Sequence, residues 1–148
     1  MNDDFSLHPQ LEADSLPVLD LPLLHLRLMN DSQYPWLIGI PRRPQLREID
    51  ELEPADQALF LQETLAVMRV IRQLFNPHKI NVAALGNQVP QLHLHYIARY
   101  SDDPAWPKPV WGLHPAQSYI RAKAEQRIQD IRLAFDDLGL LQGVKDDA

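Results

Sequence analysis

Residues 91–97 read Gln-Leu-His-Leu-His-Tyr-Ile, a run in which polar and apolar side chains alternate. Successive side chains of a β-strand point to opposite faces, so the run predicts a strand with Gln91, His93 and His95 on one face. An imidazole is a capable nucleophile toward phosphorus when one ring nitrogen is unprotonated and an acceptor holds the other. His93, at the centre of the row, is therefore the candidate nucleophile.

The two neighbours of His93 have unequal capacities. His95 could orient a phosphate or manage a proton, because an imidazole titrates near neutral pH. Gln91 could donate a hydrogen bond to an oxygen but cannot carry a proton, because an amide does not titrate. All three are candidate catalytic residues with different roles. The alternative is a polar sheet face on which the two histidines do no chemistry.

Alternation and turn residues predict four strands, arranged as two hairpin-like pairs. The first pair is Leu23–Met29 and Trp36–Pro41, separated by Asn, Asp, Ser and Pro residues that favour turns. The second pair is Lys79–Leu85 and Val89–Tyr100, joined by a tight connection that contains glycine. Pro90 indicates that the last of these strands begins irregularly or lies at an edge.

Apolar residues at three- and four-residue spacing predict two helices. The first spans Pro54 to Phe75, and the second has one apolar stripe, with Gly139 as its cap: Ala124, Ile128, Ile131, Phe135 and Leu138. Residues 101–115 contain four prolines and two tryptophans, which is typical of a packed, irregular loop. Residues 1–22 are interrupted by prolines and predict only short regular structure. The element order predicts one α+β domain over residues 1–148, with an antiparallel sheet.

Composition limits the kinds of partner. The net charge of −6 at pH 7 argues against a nucleic-acid-binding surface, because such surfaces accumulate Lys and Arg. The absence of cysteine removes disulfides, thiol nucleophiles and thiolate metal ligands. No apolar run reaches the ~18 residues of a membrane span, and the acidic Asp3 and Asp4 stand where a signal peptide would be basic. We expect a cytoplasmic protein without a cofactor.

The run Gly86–His95, Gly-Asn-Gln-Val-Pro-Gln-Leu-His-Leu-His, resembles the signature of the histidine-triad (HIT) superfamily. That signature is His-x-His-x-His-x-x, with apolar x, after a turn that contains glycine. Leu37–Arg43 also looks like the family's apolar strand, which ends in proline and basic residues and precedes a helix. The resemblance covers about residues 22–100 and leaves the loop and helix of residues 101–140 outside. It implies a HIT-like sheet with one long helix after the first hairpin and a C-terminal helix.

The same resemblance implies a homodimer that hydrolyses or transfers nucleoside monophosphate groups through a nucleotidyl-histidine intermediate, without an obligatory metal. By this match His93 is the nucleophile, and His95 and Gln91 are its flanking partners. Asn30 looks like the family's asparagine that meets the nucleotide ribose, and Asn81 like a polar residue on the phosphate side. Three residues of the glycine turn would hold phosphate oxygens: Gly86, Asn87 and Gln88, the last where relatives often place a small hydroxyl residue.

Two departures from the family pattern remove proton-carrying groups. Gln91 stands where the first triad histidine is expected, and Trp36 stands where relatives often have a further histidine. Such groups contribute about 10²–10⁴-fold in rate.

Two hypotheses follow. The first is an enzyme in which His93 attacks the α-phosphorus of a purine nucleotide conjugate, such as a dinucleoside polyphosphate or a nucleoside phosphoramidate. The second is a nucleotide-binding dimer without useful turnover, acting as a sensor or accessory module.

Several other residues have both a structural and a functional interpretation. Paired histidines can bind zinc, but no cysteine and no nearby carboxylate stand at ligand spacing, so we predict no metal site. Arg42 and Arg43 could attract phosphate, although adjacent basic residues are usually solvated. Trp106 and Trp111 could stack on a base, but we favour a packing role that pins the proline-rich loop. Four scattered histidines receive no catalytic assignment: His8, His25, His78 and His114.

Overall fold

Five strands form one antiparallel sheet in the computed structural model, which describes residues 5–141. They are β1 (Ser15–Asp20), β2 (Leu24–Met29), β3 (Trp36–Pro41), β4 (Lys79–Ala83) and β5 (Leu94–Arg99), in the spatial order β1-β2-β3-β5-β4. The helices are α1 (Pro9–Asp14), α2 (Pro54–Phe75) and α3 (Arg121–Asp137), with a 3₁₀ turn at Ile49–Glu51. The predicted α+β class, the long helix after the hairpin and the C-terminal helix are confirmed. Within residues 5–141, no helix is long and apolar enough to cross a membrane.

The helix ends follow from local sequence. α2 begins at Pro54, where the missing N–H would have no intrahelical partner. α3 ends in a Schellman motif, in which Leu140 N–H donates to the Phe135 carbonyl and Gly139 N–H donates to the Asp136 carbonyl, each at 2.9 Å. Gly139 has a φ of 68°, a left-handed conformation that glycine adopts without strain. The predicted glycine cap is therefore present.

The N-terminal segment is more regular than the sequence predicts. α1 and β1 occupy residues 9–20, and β1 pairs with β2 at the edge of the sheet. The pairing register shifts between Pro17 and Leu19, so apolar residues do not alternate in step along β1. An edge strand tolerates proline because one of its sides forms no ladder. A bulged edge strand of this kind has little period-two alternation, so its sequence does not predict it.

The last two strands are shorter than predicted. β4 ends at Ala83 rather than Leu85, and β5 begins at Leu94 rather than Val89. The intervening residues 84–93 are irregular, and they include Pro90, which cannot donate to a strand ladder. The prediction of a strand over residues 89–93 is wrong.

The sheet separates two apolar clusters. One face packs on α2 and α3 through a cluster that includes Leu94, Tyr96 and Phe135. The opposite face carries a second cluster around Trp36, covered by the N-terminal segment and by the loop after β5. Because alternate residues of β5 point to opposite faces, His95 lies on this second face, away from α2 and α3.

Glu63 is a buried carboxylate that ties α2 to the start of β2. Its oxygens accept the N–H of Leu23 at 3.0 and 3.1 Å and the N–H of Leu24 at 2.8 Å. Burial raises the pKa of Glu63, although the two backbone N–H groups act in the opposite direction. Without this carboxylate, two backbone donors in the interior would lose their acceptor.

Glu63→Ala should lower the free energy of unfolding by about 1–3 kcal/mol, because buried backbone donors lose their acceptor. Urea denaturation at neutral pH, followed by tryptophan fluorescence, measures the change. The control is Glu125→Ala on α3, whose carboxylate pairs with the exposed Arg121 and should leave stability nearly unchanged. A Glu63→Ala variant as stable as the wild type would show that Leu23 and Leu24 find other acceptors.

Candidate active site

The structure brings His93 and His95 together on the sheet face that points away from α2 and α3. Their ring centroids are 5.0 Å apart, and the ring planes are inclined at 70°. His95 belongs to β5, and His93 directly precedes that strand. The two residues are 7% and 5% exposed, so the pair is shielded from solvent. The imidazole pair that the sequence predicts is therefore present, although only one member lies in a strand.

The main-chain carbonyl of Gln91 fixes the ring of His93. The Nδ1 atom of His93 lies 2.7 Å from this carbonyl oxygen. A carbonyl oxygen only accepts hydrogen bonds, so Nδ1 carries the hydrogen, and Nε2 of the neutral ring keeps its lone pair. A nucleophilic imidazole needs this arrangement, in which an acceptor holds one nitrogen and the other is free to attack.

His95 has a different environment. Its Nδ1 atom lies 3.0 Å from the indole nitrogen of Trp36, and its ring centroid is 5.2 Å from that of Trp111. Burial, together with the neighbouring His93, lowers the pKa of His95 to about 3. His95 is therefore neutral near neutral pH and is not poised to act as an acid there. Of the two roles that the sequence leaves open, the geometry favours orientation of an oxygen over proton transfer.

The Gln91 side chain holds the N-terminal strap, which we define as residues 5–8. Its Oε1 atom accepts the N–H of His8 at 2.8 Å, and its Nε2 atom donates to the carbonyl oxygen of Ser6 at 2.9 Å. Phe5 and Leu7 of the strap pack against the second apolar cluster. Because the backbone before β5 is irregular, Gln91 does not continue the strand row of the two histidines. Its amide reaches the strap instead.

A buried ion pair fixes the loop that follows β5. Arg99 Nε donates to Asp103 at 2.7 Å, and the two side chains are 2% and 4% exposed. The Asp103 carboxylate also accepts the N–H groups of Tyr100, Ala105 and Trp106, at 3.0, 3.1 and 2.7 Å. Burial alone would raise the pKa of Asp103, but Arg99 and the backbone N–H groups of Tyr100 and Trp106 outweigh this effect, and the pKa is lowered. The loop is thus anchored through a charged, fully hydrogen-bonded centre.

Arg99 also connects this loop to β4 and to two aromatic rings. Its guanidinium donates to the side-chain oxygen of Asn81 at 2.9 Å and to the carbonyl oxygen of Lys108 at 2.8 Å. The same group lies over the rings of Tyr34 and Trp106, at 5.8 and 5.6 Å from their centroids. Trp106 therefore pins the loop, as the packing interpretation of the sequence predicts.

Arg99 and Asp103 support the site but are not among the residues that the sequence predicts for it. The anchored loop places the Trp111 ring beside His95 and 6.3 Å from the Trp36 ring. A signal for Arg99 was available, because it continues the period-two row that begins at His95, and Asp103 follows it at four-residue spacing. A charged residue in a row of otherwise buried positions requires a partner.

The structure does not bring Asn30 to the histidine pair. Asn30 follows β2, and its side-chain oxygen accepts the N–H of Tyr119 at 2.9 Å. Strand pairing places it roughly five residues, or ~16 Å, along the sheet from the level of His93. The side-chain oxygen of Asn81 is likewise engaged, by Arg99. The predicted contacts of Asn30 and Asn81 with a nucleotide stay predictions.

The predicted glycine turn begins beside the pair. Ala83, the last residue of β4, pairs with His95, and the turn follows it. Gly86 has a φ of 71°, a conformation that favours glycine. Asn87 and Gln88 are exposed. A role of Gly86, Asn87 and Gln88 in phosphate binding stays a prediction.

Two arginines considered for phosphate binding have structural partners. Arg42 donates to the carbonyl oxygens of Leu21 and Pro22. Arg43 donates to both carboxylate oxygens of Asp56, at 2.7 and 2.9 Å. In the part of the chain that the structure describes, no group of three or more His, Asp or Glu side chains is placed to hold a metal ion.

These features define a small α+β domain with an antiparallel sheet and two adjacent, shielded histidines on one sheet face. A family model of the HIT domain matches residues 10–102, more than half of the chain. The chain belongs to the HIT domain family. No curated protein matches it.

Solved structures agree with this assignment. A histidine triad protein from Bradyrhizobium japonicum is 40% identical, with 88% of this chain and 98% of that chain covered and a TM-score of 0.86. One from Marinobacter aquaeolei VT8 is 42% identical, with 90% and 98% covered and a TM-score of 0.87. A hypothetical histidine triad nucleotide-binding protein from Sulfolobus tokodaii strain7 is 16% identical, with 93% of each chain covered and a TM-score of 0.66. This last likeness shows the fold alone.

Gln91→Ala should release the N-terminal strap, because both hydrogen bonds of the amide disappear. The His8 N–H should lose protection from hydrogen exchange by up to roughly tenfold, the equivalent of one neutral hydrogen bond. Amide exchange followed by NMR measures this, and Gln88→Ala on the neighbouring turn is the matched control. Unchanged protection in Gln91→Ala would show that apolar packing alone holds the strap.

Proposed function

We propose that this protein is a nucleotide hydrolase or nucleotidyl transferase that forms a covalent nucleotidyl intermediate on His93. The observation that carries the proposal is the 2.7 Å hydrogen bond from His93 Nδ1 to the Gln91 carbonyl, which leaves Nε2 free. Membership of the HIT family supports a nucleotide as partner. The proposed substrate is a purine nucleotide conjugate of the dinucleoside polyphosphate or phosphoramidate type.

The proposed reaction is a double displacement at phosphorus. His93 Nε2 attacks the α-phosphorus and forms a P–N bond, while the bond to the leaving group breaks and the leaving group keeps the electron pair. Water then attacks the same phosphorus, the P–N bond breaks, and its electron pair returns to Nε2. The proton of the attacking water passes to solvent. In a transferase, a second acceptor takes the place of this water.

The surroundings of His93 supply hydrogen bonds rather than protons. His95, neutral because its pKa is lowered to about 3, can orient a phosphate oxygen. The turn at Gly86, Asn87 and Gln88 begins next to His95 and is the proposed second contact for phosphate oxygens. Gln91 contributes through its carbonyl to His93 and through its side chain to the strap.

Nucleotide binding without useful turnover is the second candidate function. It is favoured by the lack of an acid beside the nucleophile, since Gln91 does not titrate and His95 stays neutral near neutral pH. A leaving group that needs a proton would then depart slowly. In this case the protein would act as a sensor or accessory module that binds the nucleotide without turning it over.

His93→Ala should abolish the nucleotidyl adduct while AMP binding is largely kept. Wild type, His93→Ala and the exposed control His114→Ala are incubated with adenosine monophosphoramidate or diadenosine tetraphosphate and denatured rapidly at alkaline pH, which preserves P–N bonds. Intact-protein mass spectrometry then detects and maps the adduct. An adduct on wild type and on the control, but not on His93→Ala, supports the enzyme. An adduct on His93→Ala overturns the assigned nucleophile, whereas AMP binding without adduct or turnover in the wild type favours the binding module.

We also propose that the chain forms a homodimer in which α2 contributes to the interface. Leu61 and Leu65 are 58% and 50% exposed and lie four residues apart, on one face of α2. Exposed apolar side chains grouped on one helix face are typical of an association surface.

The double variant Leu61→Glu and Leu65→Glu should sediment as a monomer, because a dimer would bury the introduced carboxylates without partners. Sedimentation velocity of wild type and variant measures the mass. Leu133→Glu on α3, where the leucine is 49% exposed, is the control and should keep the wild-type mass. A wild-type monomer, or a double variant that remains dimeric, contradicts the proposal.

A further inference from the structure

Trp36 is the one side chain that hydrogen-bonds the His95 ring among the residues that the structure describes. The indole nitrogen of Trp36 lies 3.0 Å from His95 Nδ1. The contact follows from strand pairing: Ile38 of β3 is opposite His95, so Trp36 is its diagonal neighbour on the same face. A large aromatic side chain spans such a diagonal.

The chemistry of the indole decides the direction of this hydrogen bond. An indole N–H only donates, so His95 Nδ1 must accept and can carry no hydrogen. In the neutral ring the hydrogen is then on Nε2. Trp36 and His95 are 8% and 5% exposed, so the opposite tautomer would place two N–H groups against each other with little access to water. Such a clash disfavours that tautomer by roughly ten- to hundredfold.

A second tryptophan touches the same ring without this capacity. The centroid of Trp111 is 5.2 Å from that of His95, close to the 5.6 Å between Trp36 and His95. The indole nitrogen of Trp111 is buried and makes no hydrogen bond to any side chain or backbone group of residues 5–141. Both tryptophans therefore pack on His95, but only Trp36 forms a hydrogen bond to one of the two ring nitrogens of His95.

We infer that Trp36 is a positioning residue that locks His95 in the Nε2–H tautomer, so that the ring offers a hydrogen-bond donor, and not an acceptor, to a phosphate oxygen. The inference rests on the proposed function for the presence of that phosphate, but the tautomer itself does not. Burial keeps the ring neutral, since the pKa of His95 is lowered to about 3. Trp36 does not titrate, so it donates this hydrogen bond to His95 Nδ1 at any pH at which His95 is neutral. A neighbouring imidazole would be a fixed donor in only one protonation state.

The direct test is NMR of the unliganded, full-length protein labelled with ¹⁵N in histidine and tryptophan. Two-bond ¹H–¹⁵N spectra distinguish a pyrrole-type nitrogen from a pyridine-type nitrogen, and a coupling across the N–H···N hydrogen bond identifies its partners. In the wild type, we expect a pyridine-type Nδ1 and a pyrrole-type Nε2 in His95, with a coupling between Trp36 Nε1 and His95 Nδ1. An Nδ1–H tautomer, or no such coupling, overturns the inference without any variant.

Trp36→Phe and Trp111→Phe form a matched pair of variants. Each keeps an aromatic ring near His95, but only Trp36→Phe removes the hydrogen bond. We expect mixed tautomers of His95 in Trp36→Phe and the wild-type pattern in Trp111→Phe. A folded Trp36→Phe protein with a fully retained Nε2–H tautomer contradicts the inference. If Trp36→Phe does not fold, the wild-type coupling alone decides.

The functional consequence is tested with AMP as the probe and with adenosine monophosphoramidate as the substrate. Trp36→Phe should weaken AMP binding, or lower kcat/KM where turnover is measurable, by the reciprocal of the fraction of His95 that keeps the Nε2–H tautomer, about two- to fivefold for a mixed population, and Trp111→Phe should cause a smaller loss. The His93 adduct should still form in Trp36→Phe, more slowly. Loss of the tautomer without any loss of binding or rate would overturn the positioning role. Absence of an adduct in the wild type would instead count against the proposed enzyme, and leave the NMR result standing.

Discussion

The register between β3 and β5 determines what surrounds the histidine pair. Ile38 is paired with His95, and this register places Trp36 on the same face, within reach of the imidazole. A slip of one residue would turn His95 toward α2 and α3, where Leu94 and Tyr96 now pack, and would bring those apolar side chains to the other face. The apolar core thus selects both the face on which the histidine lies and the neighbour that contacts its Nδ1 atom.

The covering of that second face creates the chemical environment of the site. An open sheet face would leave His95 hydrated, with little change in its pKa. Here the loop after β5 covers it, and the loop depends on the buried pair of Arg99 and Asp103. Burying two charges is costly unless their remaining hydrogen-bonding capacity is satisfied, and the backbone donors around Asp103 provide this. The depressed pKa of His95 is therefore a consequence of loop anchoring as much as of the strand itself.

The sequence predicts those features that have a local period or a local signal. The helix from Pro54 to Phe75, the β2–β3 hairpin, the Gly139 cap and the adjacency of His93 and His95 all belong to this group. The contact between Gln91 and the N-terminal strap does not, because it joins positions 83 and 85 residues apart through one side chain. No repeat or spacing encodes such a contact. The alternation of residues 91–95 predicts that Gln91 lies in the strand, on the same face as the two histidines. This prediction is wrong, because the backbone before β5 is not part of the sheet.

The two departures from the triad pattern share a physical character. The resemblance of the sequence to the family pattern predicts an imidazole at the position of Gln91 and, in many relatives, at that of Trp36, and neither Gln nor Trp titrates. Each holds geometry instead: Gln91 fixes the strap with its side chain and the His93 ring with its carbonyl, and Trp36 contacts His95. Under the proposed mechanism the proton that a departing group needs must then come from solvent or from the substrate itself. The rate would then depend on how well the leaving group carries negative charge. With a leaving group that carries it well the protein would be a fast hydrolase, and with one that carries it poorly it would bind the nucleotide with little turnover.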